Sequence, residues 1–284
     1  MKTSLMMTTY NSPAWLGKVL VGCACQSLPA DEIIIADDGS SDDTAEVISR
    51  AAQDLALPLV HIWQPDQGFR KCQALNRAVA AAHGDYCIFT DADCIPHRDF
   101  IAWHVCLARP GRFLSGGYNK LSLTTSQALS DDDIRTGRHC DPAWLAANGS
   151  PDLARERKLR LLGTRRGRLC DALTTTRASW NGHNASTWRC YILAANGFDH
   201  RMCYGGQDRE FGERLENAGI RGHQIRHRAT CVHLDHGRSY ATPDSIAANR
   251  AIRDETRRQG LTRCAAGIGE LVGDEGTITV HRRE

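Results

Sequence analysis

The 284-residue chain is predicted to fold as an α/β protein, with a mostly parallel central sheet flanked by helices. Three observations predict it. Short runs that are apolar throughout recur between residues 4 and 90, helix-period segments separate them, and acidic residues close two of the runs. A strand that is apolar on both faces suits a sheet covered on both sides, as parallel strands joined by crossover helices are.

The first strand is expected over residues 4–9. Ser12-Pro13 then opens a helix to about residue 26, with Ser as cap and Pro in the first turn, where a missing N–H costs nothing. Residues 32–36 form a nearly pure Ile strand ending in Asp37-Asp38-Gly39-Ser40, and Ser41-Asp42-Asp43-Thr44 starts a helix to about residue 54. A third strand covers 59–63. The helix over 70–82 places Cys72, Leu75, Val79 and Ala82 on one face. Tyr86-Cys87-Ile88-Phe89-Thr90 is the fourth strand and runs straight into Asp91-Ala92-Asp93.

Residues 121–178 are less patterned: polar turns, a helix near 152–162, then an Arg- and Thr-rich stretch. So long an insertion reads as a lid or acceptor-binding loop, or as a disordered connection. Beyond it, 188–193 is apolar, 195–199 forms a turn, and 207–217 is an amphipathic helix with Phe211 and Leu215 on one face. Short strands at 222–225 and 230–234 and a polar helix over 243–258 follow; the tail beyond Gly260 carries no motif.

Bulk properties narrow the function. Lys+Arg is 35 against Asp+Glu 33, a net charge of +2, so no nucleic-acid-binding surface is indicated. Arg155, Arg157, Lys158, Arg160, Arg165, Arg166 and Arg168 make one basic stretch, read either as a solvated helix face or as a contact for an anionic acceptor or membrane head groups. Residues 1–11 are too short and hydroxyl-rich for a signal peptide, and no run of about 18 apolar residues occurs. The twelve cysteines form no Cys-x-x-Cys pair, which points to reduced thiols in a cytoplasm. Cys72, Cys87, Cys106 and Cys190 are expected as small core residues.

Ligands of parallel sheets sit beyond the carboxyl ends of the strands, so residues 8–11, Asp37-Asp38 and Asp91-Ala92-Asp93 should converge on one crevice. Two carboxylates one residue apart on that rim suit a hard divalent cation, Mn²⁺ or Mg²⁺, and a sugar nucleotide. A dinucleotide-binding fold would need Gly-x-Gly-x-x-Gly after the first strand. The chain has Thr-Thr-Tyr-Asn-Ser-Pro there, which excludes it.

With Thr8-Thr9-Tyr10-Asn11, Asp37-Asp38-Gly39-Ser40, Gly68-Phe69-Arg70 with Asn76, Asp91-Ala92-Asp93-Cys94-Ile95-Pro96, Asn196-Gly197-Phe198-Asp199, Gly205-Gly206-Gln207-Asp208 and His233-Leu234-Asp235-His236 in this order, the sequence resembles the family-2 glycosyltransferases of GT-A fold. More narrowly it resembles the bacterial branch with a galactosyltransferase- and chondroitin-polymerase-like C-terminal region. The resemblance covers roughly residues 3–118 and 180–240. It implies one domain over 1–240, with a Rossmann-like nucleotide-sugar half (1–118) and an acceptor and catalytic half (119–240), followed by a C-terminal helix and tail (241–284).

The resemblance also implies roles. Thr8, Tyr10 and Asp38 line the nucleotide pocket, with Asp38 accepting from uracil if the donor is UDP-linked; Arg70 covers the diphosphate or base, and Asp91 bonds the ribose or donor sugar. Asp93 and His233 hold the metal, with His236 as the rival of His233. Asp208 is the general base, while Gly206, Gln207 and Trp180 meet the donor or acceptor sugar. Asn76 is expected to be structural, fixing loop backbone. The family commonly has Gly-Gly-Glu-Asp where this chain has Gln207, so acid–base work falls to Asp208 alone. The activity implied is metal-dependent inverting transfer of a sugar from a nucleoside diphosphate donor to a glycan or glycolipid hydroxyl, in cell-surface polysaccharide or lipopolysaccharide assembly. The expected place is the cytoplasm, at the inner face of the membrane by peripheral contact. A nucleotidyltransferase, or a nucleotide-sugar-binding module without catalysis, are the alternatives.

Overall fold

A computed structural model describes residues 1–149, 159, 162, 164–237, 243–271 and 276–281. Its strands are β1 (Thr3–Thr9), β2 (Glu32–Asp37), β3 (Leu59–Trp63), β4 (Tyr86–Asp91), β5 (Cys94–Pro96), β6 (Arg112–Ser115), β7 (Gly117–Lys120), β8 (Ala185–Trp188), β9 (Arg221–Gln224), β10 (Thr230–His233) and β11 (Thr277–His281). Eight of them form one sheet in the order β11-β3-β2-β1-β4-β8-β6-β9, and β5-β10-β7 form a second. In the large sheet β1 runs parallel to β2 and β4, and β2 to β3, while β8 and β11 run antiparallel to their neighbours.

Alternate residues of a strand point to opposite faces, and here both faces are covered. Leu5, Met7, Ile33, Ile35 and Ile88 pack on one side with Leu16, Leu20 and Ile48. Met6, Ile34, Ala36, Cys87 and Phe89 pack on the other with Leu75, Val79 and Phe211. This is why the strands are apolar at every position. The register pairs Thr8 with Asp91 and Thr9 with Asp37, which brings three strand ends to one rim.

Several expectations need correction. The first helix ends at Ala24, and the Gln26 side chain instead donates to the carbonyls of Gly22 and His97. Residues 121–178 are not one formless insertion: helices occur at Leu123–Ala128, Asp131–Arg135, Pro142–Ala147 and Arg165–Leu173. The helix expected near 152–162, with Arg155, Arg157, Lys158 and Arg160, falls largely outside the described residues. Cys106 and Cys190 are exposed, although Cys72 and Cys87 are core residues.

The chain beyond Gly260 also contributes to the fold. β11 pairs antiparallel with β3, and the helix Pro243–Gln259 lies against the helix Gln207–Asn217. Between those helices Thr256 donates to Glu210, which is paired with the wholly buried Arg214; Arg214 in turn donates to the carbonyls of Ala195 and Gly197. Among the described residues, no helix is long and apolar enough to cross a membrane.

Candidate active site

The rim formed by β1, β2 and β4 carries the residues expected to line a nucleotide pocket. Asp38, directly after β2, is buried, and its two oxygens accept from Gln64 Nε2 and the Arg70 amide, each at 2.7 Å. Burial pushes its carboxyl up to about 6, against the pull of those donors. Gly39 makes this close packing possible, since its φ is +95° and a Cβ there would meet the Asp66 backbone at 2.5 Å. Tyr10 is half-exposed and donates to Asp66 at 2.8 Å. The Arg70 guanidinium donates to the Pro65 carbonyl at 2.5 Å and leaves its Nε buried without a partner.

Asp91 is fixed from two sides. Its Oδ1 accepts the Thr8 hydroxyl at 2.9 Å and lies 2.7 Å from Lys71 Nζ. Thr8 is thereby tied to Asp91 across the paired strands. Lys71 went unnoticed in the sequence because it reads as an ordinary first residue of a helix.

Asp93 sits in the link between the large sheet and β5. Its Oδ2 lies 2.8 Å from His236 Nε2 and 3.6 Å from His233 Nε2. The imidazoles and the Cys94 thiol hold its carboxyl down at about 2 although it is buried. β5 and β10 pair Cys94 directly with His233, so Asp93, Cys94 and His233 offer ligand atoms within 4.8 Å of one another. The two rings stack at 5.4 Å. His236 Nδ1 faces the Gly237 carbonyl at 2.7 Å and must donate to it, which leaves Nε2 of a neutral ring aiming a lone pair at a carboxylate. That contact calls for positive charge, either a proton on the ring or a cation shared with Asp93. His233 Nδ1 is buried without a partner. One carboxylate with two imidazoles fits Mn²⁺, and both histidines are in reach. Both imidazoles face the same Asp93 oxygen, His236 the nearer.

Asp208 lies in the first turn of the helix Gln207–Asn217, whose cap Gly206 has φ +95°. Its Oδ1 is buried without a hydrogen-bond partner. Burial raises its carboxyl, opposed first by the charge of Lys71 and helped by that of Asp91. A Cβ on Gly182 would lie 2.9 Å from that oxygen, so glycine is what lets the loop close over it. A Cβ on Gly206 would instead come 3.0 Å from the Arg253 side chain.

Two expected sugar contacts are corrected. Trp180 is 1% exposed, enclosed by Phe89, Phe113 and Phe211, and presents no face to a sugar. Gln207 is 5% exposed and its Oε1 accepts from the Gly205 amide at 2.9 Å, so it shapes the loop carrying Asp208. The exposed ring beside the histidines is Tyr118 on β7, 4.6 Å from His183 and 6.0 Å from His233 between ring centres. Burial pushes His183 down to about 4, so its ring is neutral at neutral pH. Asn76 is structural as expected: it accepts from the Phe198 amide at 2.8 Å and donates to the Phe198 carbonyl at 2.7 Å.

Residues 4–108 match the family model for glycosyl transferase family 2. Over that segment the chain is similar to the family 2 glycosyltransferases. Over 283 residues the chain is 26% identical to an uncharacterized glycosyltransferase of Bacillus subtilis, YfnE, across 88% of this chain and 69% of that protein. Over 231 residues it is 26% identical to chondroitin synthase of Escherichia coli, across 76% of this chain but only 32% of that protein. Among solved structures, S. aureus TarS 1-349 in complex with UDP-GlcNAc aligns with a TM-score of 0.61 at 14% identity, covering 92% of this chain and 69% of that one. The mannosyltransferase PcManGT of Pyrobaculum calidifontis, in complex with GDP-Man and Mn²⁺, aligns at 0.55 and 20% identity, covering 92% and 72%. At these identities the structures speak for the fold, which is GT-A. The matched segment spans β1 to β4, Asp38, Arg70, Lys71, Asp91 and Asp93, whereas Asp208 and both histidines lie outside it.

Proposed function

We propose that this glycosyltransferase domain moves a sugar, with inversion, from a UDP-linked donor to a hydroxyl of a glycan or glycolipid, using Mn²⁺ or Mg²⁺, in cell-surface polysaccharide or lipopolysaccharide assembly. The observation that carries the reading is the gathering of Asp93, His233 and His236 beside Asp91, with the unpartnered Asp208 oxygen nearby. Solved relatives of the fold that hold a UDP-sugar or Mn²⁺ support the cofactor and donor class.

In this reading Asp38 receives the uracil N–H, Arg70 faces the diphosphate, and Asp91 offers its Oδ2 to the ribose or sugar. Asp93, His233 and His236 would hold a divalent cation, which would supply positive charge against the diphosphate. Asp208 takes the proton of the acceptor hydroxyl, whose oxygen bonds to the anomeric carbon as the bond to UDP breaks on the opposite side. General-base help of this kind contributes about 10²–10⁴-fold in rate. Tyr118 supplies the aromatic face on which a sugar ring stacks.

Peripheral membrane contact belongs to the same proposal. The helix Arg165–Leu173 exposes Leu169 and Leu173 beside Arg165, Arg166 and Arg168, while its acid, Asp171, turns inward to His227 and Arg228. Co-sedimentation with phosphatidylglycerol vesicles, lost on Leu169→Ser with Leu173→Ser, tests it.

Incubation with UDP-sugars, nucleoside triphosphates and glycan acceptors tests the activity. UDP release that requires acceptor supports transfer. Pyrophosphate release would make the protein a nucleotidyltransferase, and binding of UDP without turnover a module devoid of catalysis. Asp208→Asn should abolish transfer and keep UDP binding.

A further inference from the structure

Lys71 opens the helix Lys71–Ala81, a place where the helix dipole disfavours a cation. It is nevertheless drawn inward, with its side chain 17% exposed and Nζ 2.7 Å from Asp91 Oδ1. That oxygen also accepts the Thr8 hydroxyl, so both hydrogen bonds fall on one side of the carboxylate and Oδ2 is left for a ligand. The charge of Lys71 is felt by Asp91, Asp208 and Asp93. One ammonium thus stands among the acid that serves the donor and the acid that serves the acceptor.

We propose that Lys71 is a positioning residue of the transfer reaction: it locks Asp91 against Thr8 for the donor, and its charge keeps Asp208 ionised to receive the acceptor proton. The second half rests on the reading of Asp208 as the base. The charges acting on Asp208 are those of Lys71 and Asp91, and the Gly182 amide favours its ionised form. Of these groups only Lys71 carries positive charge. Burial and Asp91 both favour the protonated acid, which cannot act as a base; Lys71 opposes them.

The sign follows directly. Removing the cation raises the pH at which Asp208 ionises, so the acid limb of kcat/KM moves to higher pH. In full-length protein saturated with Mn²⁺, Lys71→Met should shift that limb up by about one unit or more. Lys71→Arg keeps the charge but not the compact ammonium contact, so it should leave the limb near its original place while weakening UDP binding. Calorimetry with UDP reads the Asp91 half independently of turnover. An unmoved limb in Lys71→Met, or a limb displaced as far in Lys71→Arg, overturns the inference. If Lys71→Met does not fold, Lys71→Gln takes its place in the same comparison. Asp208→Asn separates the two failures: full activity there refutes the base assignment, whereas its inactivity together with an unmoved limb refutes Lys71 alone.

Discussion

His236 Nε2 lies 2.8 Å from Asp93 Oδ2 while the opposite ring nitrogen gives its proton to the Gly237 carbonyl. The ring orientation is therefore set before any ligand arrives, and the nitrogen facing Asp93 is a metal-ready lone pair whenever the ring is neutral. His236→Ala and His233→Ala should each weaken Mn²⁺ binding at least about tenfold, since oriented ligands are worth that much or more. Calorimetric titration with Mn²⁺ alone checks this. Unchanged affinity in both variants would remove the metal centre from this place.

Gly182→Ala should impair turnover without unfolding the protein. The new methyl would stand 2.9 Å and 3.1 Å from the two Asp208 oxygens, and the carboxylate is the part free to yield. A displacement of about 1 Å at a catalytic group can cost about 10²-fold. Matched melting curves with a fall in kcat are expected; full activity would mean that Asp208 does not work from its present position.

Asp38 gives a pH dependence. Its carboxyl ionises at about 6 in the folded chain against an ordinary 3.8, so it binds its proton more tightly folded than unfolded. The associated stability is present in acid below the ordinary value and is lost as pH rises through about 6. The ionised carboxylate accepts a uracil N–H more strongly than the neutral acid does, so UDP should bind more tightly as pH rises through the same window. Calorimetry across it should show this trend in the parent chain and a weak, flatter dependence in Asp38→Asn. A parent chain with no trend would take the base contact away from Asp38.

Asn76→Ala should destabilise the fold by about 3 kcal/mol, because it strands a buried amide and a buried carbonyl of Phe198 together. Denaturant unfolding measures it. A change below about 1 kcal/mol would show that the 196–199 turn finds other partners.

Much of this was readable from the residues. β1 to β4 are legible because burial on both faces makes every position apolar, and Asp37 and Asp91 mark where the strands stop. Depth was less legible. Trp180 has the right chemistry for a sugar platform but fills the core, and Tyr118, which has the exposure, sits in a strand too short to show a period. Lys71 and Asp91 lie 20 residues apart, and nothing local in the sequence ties a helix start to a strand end. β11 was missed since its residues are largely exposed, leaving no alternation to read.

The small sheet has a consequence of its own. β5, β10 and β7 together carry Cys94, His233 and Tyr118, while Asp38, Arg70 and Asp91 belong to the large sheet or its loops. Only Asp93, in the short link from β4 to β5, belongs to both. On the proposed reading, drift in the minor ladder would re-aim the cation and the saccharide shelf without disturbing the uridine cradle. Descendants of this scaffold would then be free to trade acceptors while inheriting the same donor.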